Sequence, residues 1–415
     1  MTTDTGSRPG PAGSISVLAV RAGDAMRRWP WWVQVSALYV AARLASACIF
    51  MAAALQQGTN PWFPAKPDYW NFINIWDARW YGEVISNGYP AVLPVDAAGN
   101  VQENAWAFYP LFPFLGRTLS TLTGVAPAAA LTIVAMLSGL GAALVIYSLF
   151  RHKAQHSTAM WAVAFFATFP VSGILQVPYA EPLTILLLSA ALLLVIRRQY
   201  YVAMPVVLLM CLSRPVGVPF AALVGLLFAY RLVQRSRGSS PQVHSPRELG
   251  GLAALTALSG AAALIWPAAA WATTGDIEAY TKTETVWRGH DLVPFKPWFD
   301  TGIQLFGPVL GVLAPFVFAG LFALMLFSPP AVKLGVELRL WCACYMAYLL
   351  LFLHPQTSTF RMLLPLFPLA LGAAVMSRSR AYRGAVIVMF ILLQIVWIVW
   401  LWAWAQLPGG GDYPP

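Results

Sequence analysis

The sequence predicts an all-α polytopic membrane protein, and three observations carry that prediction. Hydrophobic residues make up 59% of the 415 and charged residues only 10%, against roughly 25% charged in an ordinary soluble domain. Apolar stretches approaching the roughly 20 residues needed to cross a hydrocarbon core recur eleven times along the chain. Lysine and arginine then fall in alternate connections, as short cytoplasmic loops require.

In chain order, a polar, Gly/Pro-rich segment 1–32 comes first, with no small-residue cleavage site after it, so the first span is expected to stay as an anchor. The expected spans are 33–55, 127–150, 158–176, 182–196, 200–213, 215–231, 249–273, 302–327, 338–354, 361–377 and 384–405, together one transmembrane domain over 33–405. The fourth to sixth are short for a full crossing, which predicts tilt or a broken helix pair. A tail, 406–415, closes the chain.

An inner N-terminus places 17 of the 26 basic residues on the cytoplasmic side, among them Arg151, Lys153, Arg197, Arg198, Arg231 and Arg339, with only Asp4, Asp24, Glu248 and Glu337 of the 16 acids. The net charge of +10 therefore reads as topology and calls for no nucleic-acid partner. The basic Ser/Pro-containing stretch Arg235 to Glu248 reads as a linker touching anionic lipid. Cys48, Cys211, Cys342 and Cys344 all fall within expected spans, as free thiols behaving like small apolar residues.

The outer side carries the long loops, 56–126 and 274–300. Unstructured loops of that length are unusual, so short amphipathic helices along the membrane surface are expected. Phe72, Ile73, Ile75, Trp76, Trp80 and Tyr81 approximate one apolar face with Asp77 on its edge. Trp397, Trp400, Trp402 and Trp404, near the outer end of the last span, read as an interfacial belt.

Polar residues gather at this outer face: Asp77, Arg79, Glu83, Glu181, Arg214, Lys282, Arg288, His290, Asp291, His354 and Arg361. Ionisable groups at the bilayer are costly and face a cavity or a partner. One acid cluster among isolated arginines suits a lipid phosphate meeting a hydroxyl acceptor: arginine holds phosphate and a carboxylate takes the hydroxyl proton. Asp77, between Trp76 and Trp80-Tyr81, is the candidate base; the plainer reading is a helix-start Asp paired with Arg79. Glu83 reads as a solvated acid. Glu181, before Pro182, either caps a helix or steadies an arginine or the acceptor. Arg214, between two short apolar segments, and Arg361 either reach the headgroups or bind an anion. Arg288 is a further phosphate candidate beside Arg361 and Arg214, while Trp76, Trp80, Tyr81, Glu181, Tyr109 and His354 form the expected substrate-binding set. The sequence contains no Walker loop, no flanked GxGxxG and no His/Cys metal cluster, so neither a nucleotide nor a metal is expected.

The segments Trp76-Asp77-Ala78-Arg79-Trp80-Tyr81, Asn87-Gly88-Tyr89-Pro90 and Ala107-Phe108-Tyr109-Pro110-Leu111-Phe112-Pro113 resemble the first outer loop of the PIG-V family of mannosyltransferases. Pro178 to Leu183, Ser213 to Gly217 and Arg361 to Pro368 continue the likeness in order. The resemblance implies a GT-C type fold, an essential acid at Asp77, a polyprenyl-phosphate mannose donor and inverting displacement without a cofactor. The chain is more compact than the eukaryotic branch, and its Ala/Gly/Trp-rich composition looks bacterial. The expectation is a plasma-membrane enzyme, a monomer, transferring mannose to a lipid, glycan or protein hydroxyl on the outer face. A flippase for a lipid-linked sugar is the alternative class, and a scaffold of an envelope assembly a third.

Overall fold

A computed structural model describes residues 28–238, 245–288, 293–406 and 415. Most of the segment 1–32, the middle of the 235–248 stretch and nearly all of the tail lie outside the described residues, as do His290, Asp291 and the side chain of Arg288.

Every one of the eleven expected spans contains helix, but fewer of them can cross a membrane. Among the described residues, seven helices are long and apolar enough: Trp31–Ala54, Pro127–Arg151, Gly217–Ser236, Pro246–Thr274, Lys296–Phe327, Gly335–Phe352 and Arg380–Trp402. The pair Thr357–Leu366 and Leu369–Met376, bent by 75°, raises the number to eight if it forms one broken span. The expected spans at 158–176, 182–196 and 200–213 are the shorter helices His156–Thr168, Glu181–Ile196 and Tyr200–Cys211.

Proline explains two of these corrections. A residue before proline is pushed out of the α region, and Phe169 before Pro170 sits at ψ 144, so that helix stops at Thr168. The segment that follows is irregular, with one tight turn over Ser172–Gln176. The break after Cys211 lies just ahead of Pro215, which has no N–H to continue a helical ladder. A third correction concerns 302–327. The chain reverses at Gly307 (φ 77°, ψ 176°), a conformation open to glycine. Trp298 stacks on Phe318 at 5.7 Å, and Gly302 meets Gly311 so closely that neither has room for a Cβ. Residues 302–306 therefore belong to a short arm folded against the spanning helix.

Small residues bring the spans together, as they do where helices pack inside lipid. Gly141 of Pro127–Arg151, for example, lies against Leu186 of Glu181–Ile196. At one end of the bundle, ion pairs join residues that the sequence assigns to the inner side. Lys153 meets Glu337 at 3.3 Å, Arg231 meets Glu248 at 2.7 Å and Glu337 at 3.3 Å, and Arg198 meets Glu248 at 3.4 Å. The far ends of the same helices, at Val216 and Phe352, border a cavity. Loops expected on one side thus meet on one side.

The first long loop is built as expected from short helices, Tyr69–Ile73, Asp77–Asn87 and Leu111–Thr123. The end of the chain pins it. Trp76 Nε1 donates to the Trp402 carbonyl at 2.9 Å, and Trp402 Nε1 donates to the Phe72 carbonyl at 2.9 Å. This revises the tryptophan belt: Trp400 is exposed, but Trp397 and Trp402 are buried, and Trp404 is bonded through its backbone N–H to Gln57. The ring N–H of Trp402 satisfies a loop carbonyl instead of a headgroup, and Trp397 Nε1 is buried without a partner among the described residues.

Candidate active site

Four chain breaks deliver the charged groups of the cavity. Asp77 is the first residue of Asp77–Asn87, where the helix dipole favours a carboxylate. The backbone swings into that helix through Trp76 at φ 58°, ψ −129°, a region that ordinarily takes glycine. Glu181 opens Glu181–Ile196, with Pro182 in the first turn. Arg214 occupies the break between Tyr200–Cys211 and Gly217–Ser236. Arg361 lies in the tight helix Thr357–Leu366, whose start is closed by reciprocal hydrogen bonds between Gln356 and Thr359.

Arg361 Nη1 stands 2.7 Å from Asp77 Oδ2 and 2.7 Å from Glu181 Oε1. Arg214 Nη1 stands 2.9 Å from the same Glu181 oxygen. The guanidinium of Arg361 also lies over the Tyr179 ring, 5.5 Å from its centre, a cation–π arrangement. The Tyr179 hydroxyl accepts the backbone N–H of Asp77 at 3.2 Å. Two polar atoms of this group, Glu181 Oε2 and Arg361 Nε, are buried with no hydrogen-bond partner among the described residues. A buried polar atom left unmatched costs free energy that a bound molecule can recover.

These groups border a cavity of about 270 Å³, just under the roughly 300 Å³ at which small-molecule clefts begin. Seven of the residues singled out in the sequence line it: Asp77, Tyr81, Tyr109, Glu181, Arg214, His354 and Arg361. Arg361 and Arg214 bond carboxylates inside the protein, which sets aside the headgroup reading for both. Asp77 pairs with Arg361, whereas Arg79 is exposed and donates to the Trp62 carbonyl at 3.2 Å. Glu83 is exposed and accepts from Asn87 at 2.6 Å; Lys282 pairs with Asp276 at 2.8 Å outside the cavity.

Trp76 and Trp80 are corrected in position, since neither lines the cavity. Trp76 is buried behind Asp77 with its edge against Trp62 at 5.0 Å. Trp80 stacks on Phe108 at 5.6 Å and meets the edge of Trp287 at 5.3 Å. Both build the wall from behind. Burial pushes the hydroxyls of Tyr81, Tyr109 and Tyr280 above the ordinary tyrosine value, which keeps them neutral donors. Tyr109 and Tyr280 face one another, hydroxyl to hydroxyl, at 3.1 Å.

Sequence reasoning missed Glu103, Glu284, Trp287, Tyr345 and Tyr348 in the lining, and Tyr179 beneath Arg361. Tyr179 lies inside the Pro178 to Leu183 motif, one of the signals in hand. Trp287 has a buried Nε1 without a partner among the described residues and adjoins Arg288, whose backbone closes the helix Ala279–Arg288.

No protein-family model and no curated protein matches this sequence. Among solved structures, the chain is similar to the oligosaccharyltransferase of Archaeoglobus fulgidus. The crystal structure of its complex with Zn and sulfate aligns at TM-score 0.45 and 14% identity, over 87% of this chain and 53% of that one. A second crystal structure, tethered by a disulfide to an acceptor peptide containing the NVT sequon, aligns at TM-score 0.41 and 13% identity, over 87% and 54%. The chain spans about half the length of that protein. At these scores the likeness carries no weight for the chemistry, which rests on the cavity's own residues.

Proposed function

We propose that this chain is a GT-C type glycosyltransferase that moves a mannosyl residue from a polyprenyl-phosphate donor to a hydroxyl acceptor on the outer face of a bacterial plasma membrane. The observation that carries the reading is the meeting of Asp77 with Arg361 at 2.7 Å in a cavity at one end of a membrane-spanning bundle. A carboxylate and a guanidinium at one cavity wall supply the two groups that displacement from a phosphate needs.

In the proposed step the acceptor oxygen attacks the anomeric carbon from the face opposite the phosphate, and its proton passes to Asp77. The bond from that carbon to the phosphate oxygen breaks, and its electron pair leaves with the lipid phosphate, inverting the centre. Arg361 and Arg214 hold the developing charge through charge-assisted hydrogen bonds. A phosphate can engage the unpartnered Arg361 Nε and, as it draws the guanidinium over, take the place of Asp77 at Nη1. That exchange frees the Asp77 carboxylate to receive a proton, and Glu181 keeps both arginines in place meanwhile. Arg288 belongs to the same proposal as a further phosphate contact, and His354 and Tyr109 as sugar or acceptor contacts.

The test is transfer from labelled polyprenyl-phosphate mannose by the purified chain in liposomes. Asp77→Asn is expected to lose about 10²- to 10⁴-fold in turnover, the usual scale of general-base catalysis, and a chelator is expected to leave transfer intact. Retained turnover in Asp77→Asn would remove the acid from the mechanism. Passage of the intact lipid-linked sugar across the bilayer without transfer would instead establish the flippase reading.

A further inference from the structure

One charged side chain lies far from this chemistry in the sequence and has no carboxylate among the partners it contacts. Arg43 is the only charged residue of the first spanning helix, Trp31–Ala54, and is buried. An intramembrane arginine is expensive and is kept where it satisfies something. Its guanidinium donates to the carbonyls of Ala167 and Ser172 and to Ser172 Oγ at 3.0 Å, and it lies over the Tyr39 ring at 5.3 Å. Ala167 belongs to the last turn of His156–Thr168, where carbonyls lack helical partners and the dipole is negative.

The stretch that begins there, Phe169 to Gln176, is the irregular backbone left by Pro170. Non-helical backbone at membrane depth survives only when the protein supplies its hydrogen bonds, and side chains of the first and last spans do so here. Tyr39 donates to the Leu175 carbonyl at 3.3 Å. Gln394 Nε2 donates to the Phe169 carbonyl at 3.3 Å and to Ser172 Oγ at 2.9 Å. Gln394 is itself held by Ser46 at 2.8 Å. The chain then runs directly from this clamp to Tyr179, which touches both Asp77 and Arg361, and to Glu181, which holds both arginines.

We propose that Arg43 is a positioning residue. By fixing the carbonyls at the start of the 169–180 stretch, it sets where Tyr179 and Glu181 meet Arg361, and so where Asp77 is held. Its kinetic consequence rests on the transfer reaction proposed above; its structural consequence does not. Displacements of about 1 Å in such a constellation cost on the order of 10²-fold in rate.

The experiment uses the full chain in nanodiscs, comparing wild type with Arg43→Met, Arg43→Lys and Asp77→Asn. In folded, monodisperse Arg43→Met, kcat is expected to fall about 10- to 100-fold while the donor KM stays within about threefold. Arg43→Lys, which keeps the charge and part of the hydrogen bonding, is expected to recover some of that loss. Backbone amide exchange should rise over 169–183 and 77–81 in Arg43→Met and remain at wild-type levels in Pro246–Thr274. A variant that exchanges more over 169–183 yet keeps wild-type kcat would overturn the proposal, as would unchanged exchange in both segments. If Arg43→Met does not fold, Gln394→Leu and Tyr39→Phe each remove one or two bonds of the same clamp and face the same criteria. Wild type that transfers nothing from this donor would defeat the reaction assigned above, and exchange at 77–81 would still decide the role of Arg43.

Discussion

Asp77 and Arg361 are 284 residues apart in the chain and 2.7 Å apart in space. The pair joins the first outer loop to the tight helix after Gly335–Phe352, so the cavity is closed by the two halves of the chain together. Both side chains are largely withdrawn from water, which makes their pairing a matter of stability as well as chemistry. Removing one partner of such a pair strands the other.

Arg361→Gln is accordingly expected to destabilise the protein by about 3 kcal/mol, at the lower end of the range for a broken buried pair, because Arg214 still faces Glu181. The double variant Arg361→Gln/Asp77→Asn should recover part of that loss. A double-mutant cycle from unfolding in detergent measures the coupling; strict additivity of the two single effects would show that the pair contributes nothing.

The backbone at Trp76 predicts a second effect. Its glycine-type conformation stores about 1–3 kcal/mol, retained because the ring is buried and its N–H reaches the Trp402 carbonyl. Trp76→Phe keeps most of the packing and loses that bond, for an expected cost of about 1–2 kcal/mol. Trp76→Gly relaxes the backbone but forfeits the ring, and should be the less stable of the two. Unfolding midpoints rank them, and the reverse order would show that the stored strain exceeds the packing of the ring.

Two helical glycines separate close packing from open surface. A Cβ at Gly139 would run into the Tyr39 hydroxyl and lie 3.1 Å from the Leu175 carbonyl that Tyr39 holds. Gly139→Ala should cost about 1–3 kcal/mol through overpacking. Gly260 has nothing within 4 Å of the same position, so Gly260→Ala should gain up to about 1 kcal/mol of helix propensity. Thermal melts of the two variants are expected to move in opposite directions.

Alkaline pH should loosen the outer loops first. Burial raises the hydroxyls of Tyr81, Tyr89, Tyr109 and Tyr280 above the ordinary value of 10.0. In the unfolded chain they ionise near that value, whereas in the fold they stay neutral. Their contribution is therefore fully present below pH 10 and is lost as pH rises through the unfolded value toward the folded one, by up to about 1.4 kcal/mol per unit and per tyrosine. Tyr89→Phe, which gives up the 2.9 Å bond to the Phe108 carbonyl, should flatten the fall in stability above pH 10. An unchanged slope would mean that Tyr89 already ionises in the folded protein.

Hydropathy located all eleven helical segments, and basic-residue placement picked out loops that meet at one end of the bundle, because both follow from local composition. They overcounted full crossings where Pro170 and the break at Ser213 to Val216 end helices early, a matter of backbone sterics that an apolar window averages away. Asp77, Glu181, Arg214 and Arg361 were visible as ionisable residues beside such breaks. Their mutual distances were not, since Arg361 could equally have reached the headgroups. Arg43 escaped notice because one arginine barely lowers the hydropathy of a 24-residue helix. Its meaning lies in the unpaired carbonyls of another helix. Trp402 was read as part of an interfacial belt and Trp76 as a ring walling Asp77; only the fold shows that each satisfies a carbonyl from the other end of the chain.

That reciprocal tryptophan pair also bears on how the protein is made. A ribosome delivers the loop carrying Asp77 early and Trp402 last, with Arg361 not far ahead of it. Until the final helix has been inserted, Phe72 and Trp76 lack the Trp402 partner that holds the loop down. A chain truncated before Trp402 is therefore expected to leave the Asp77 loop without the two bonds that hold it down.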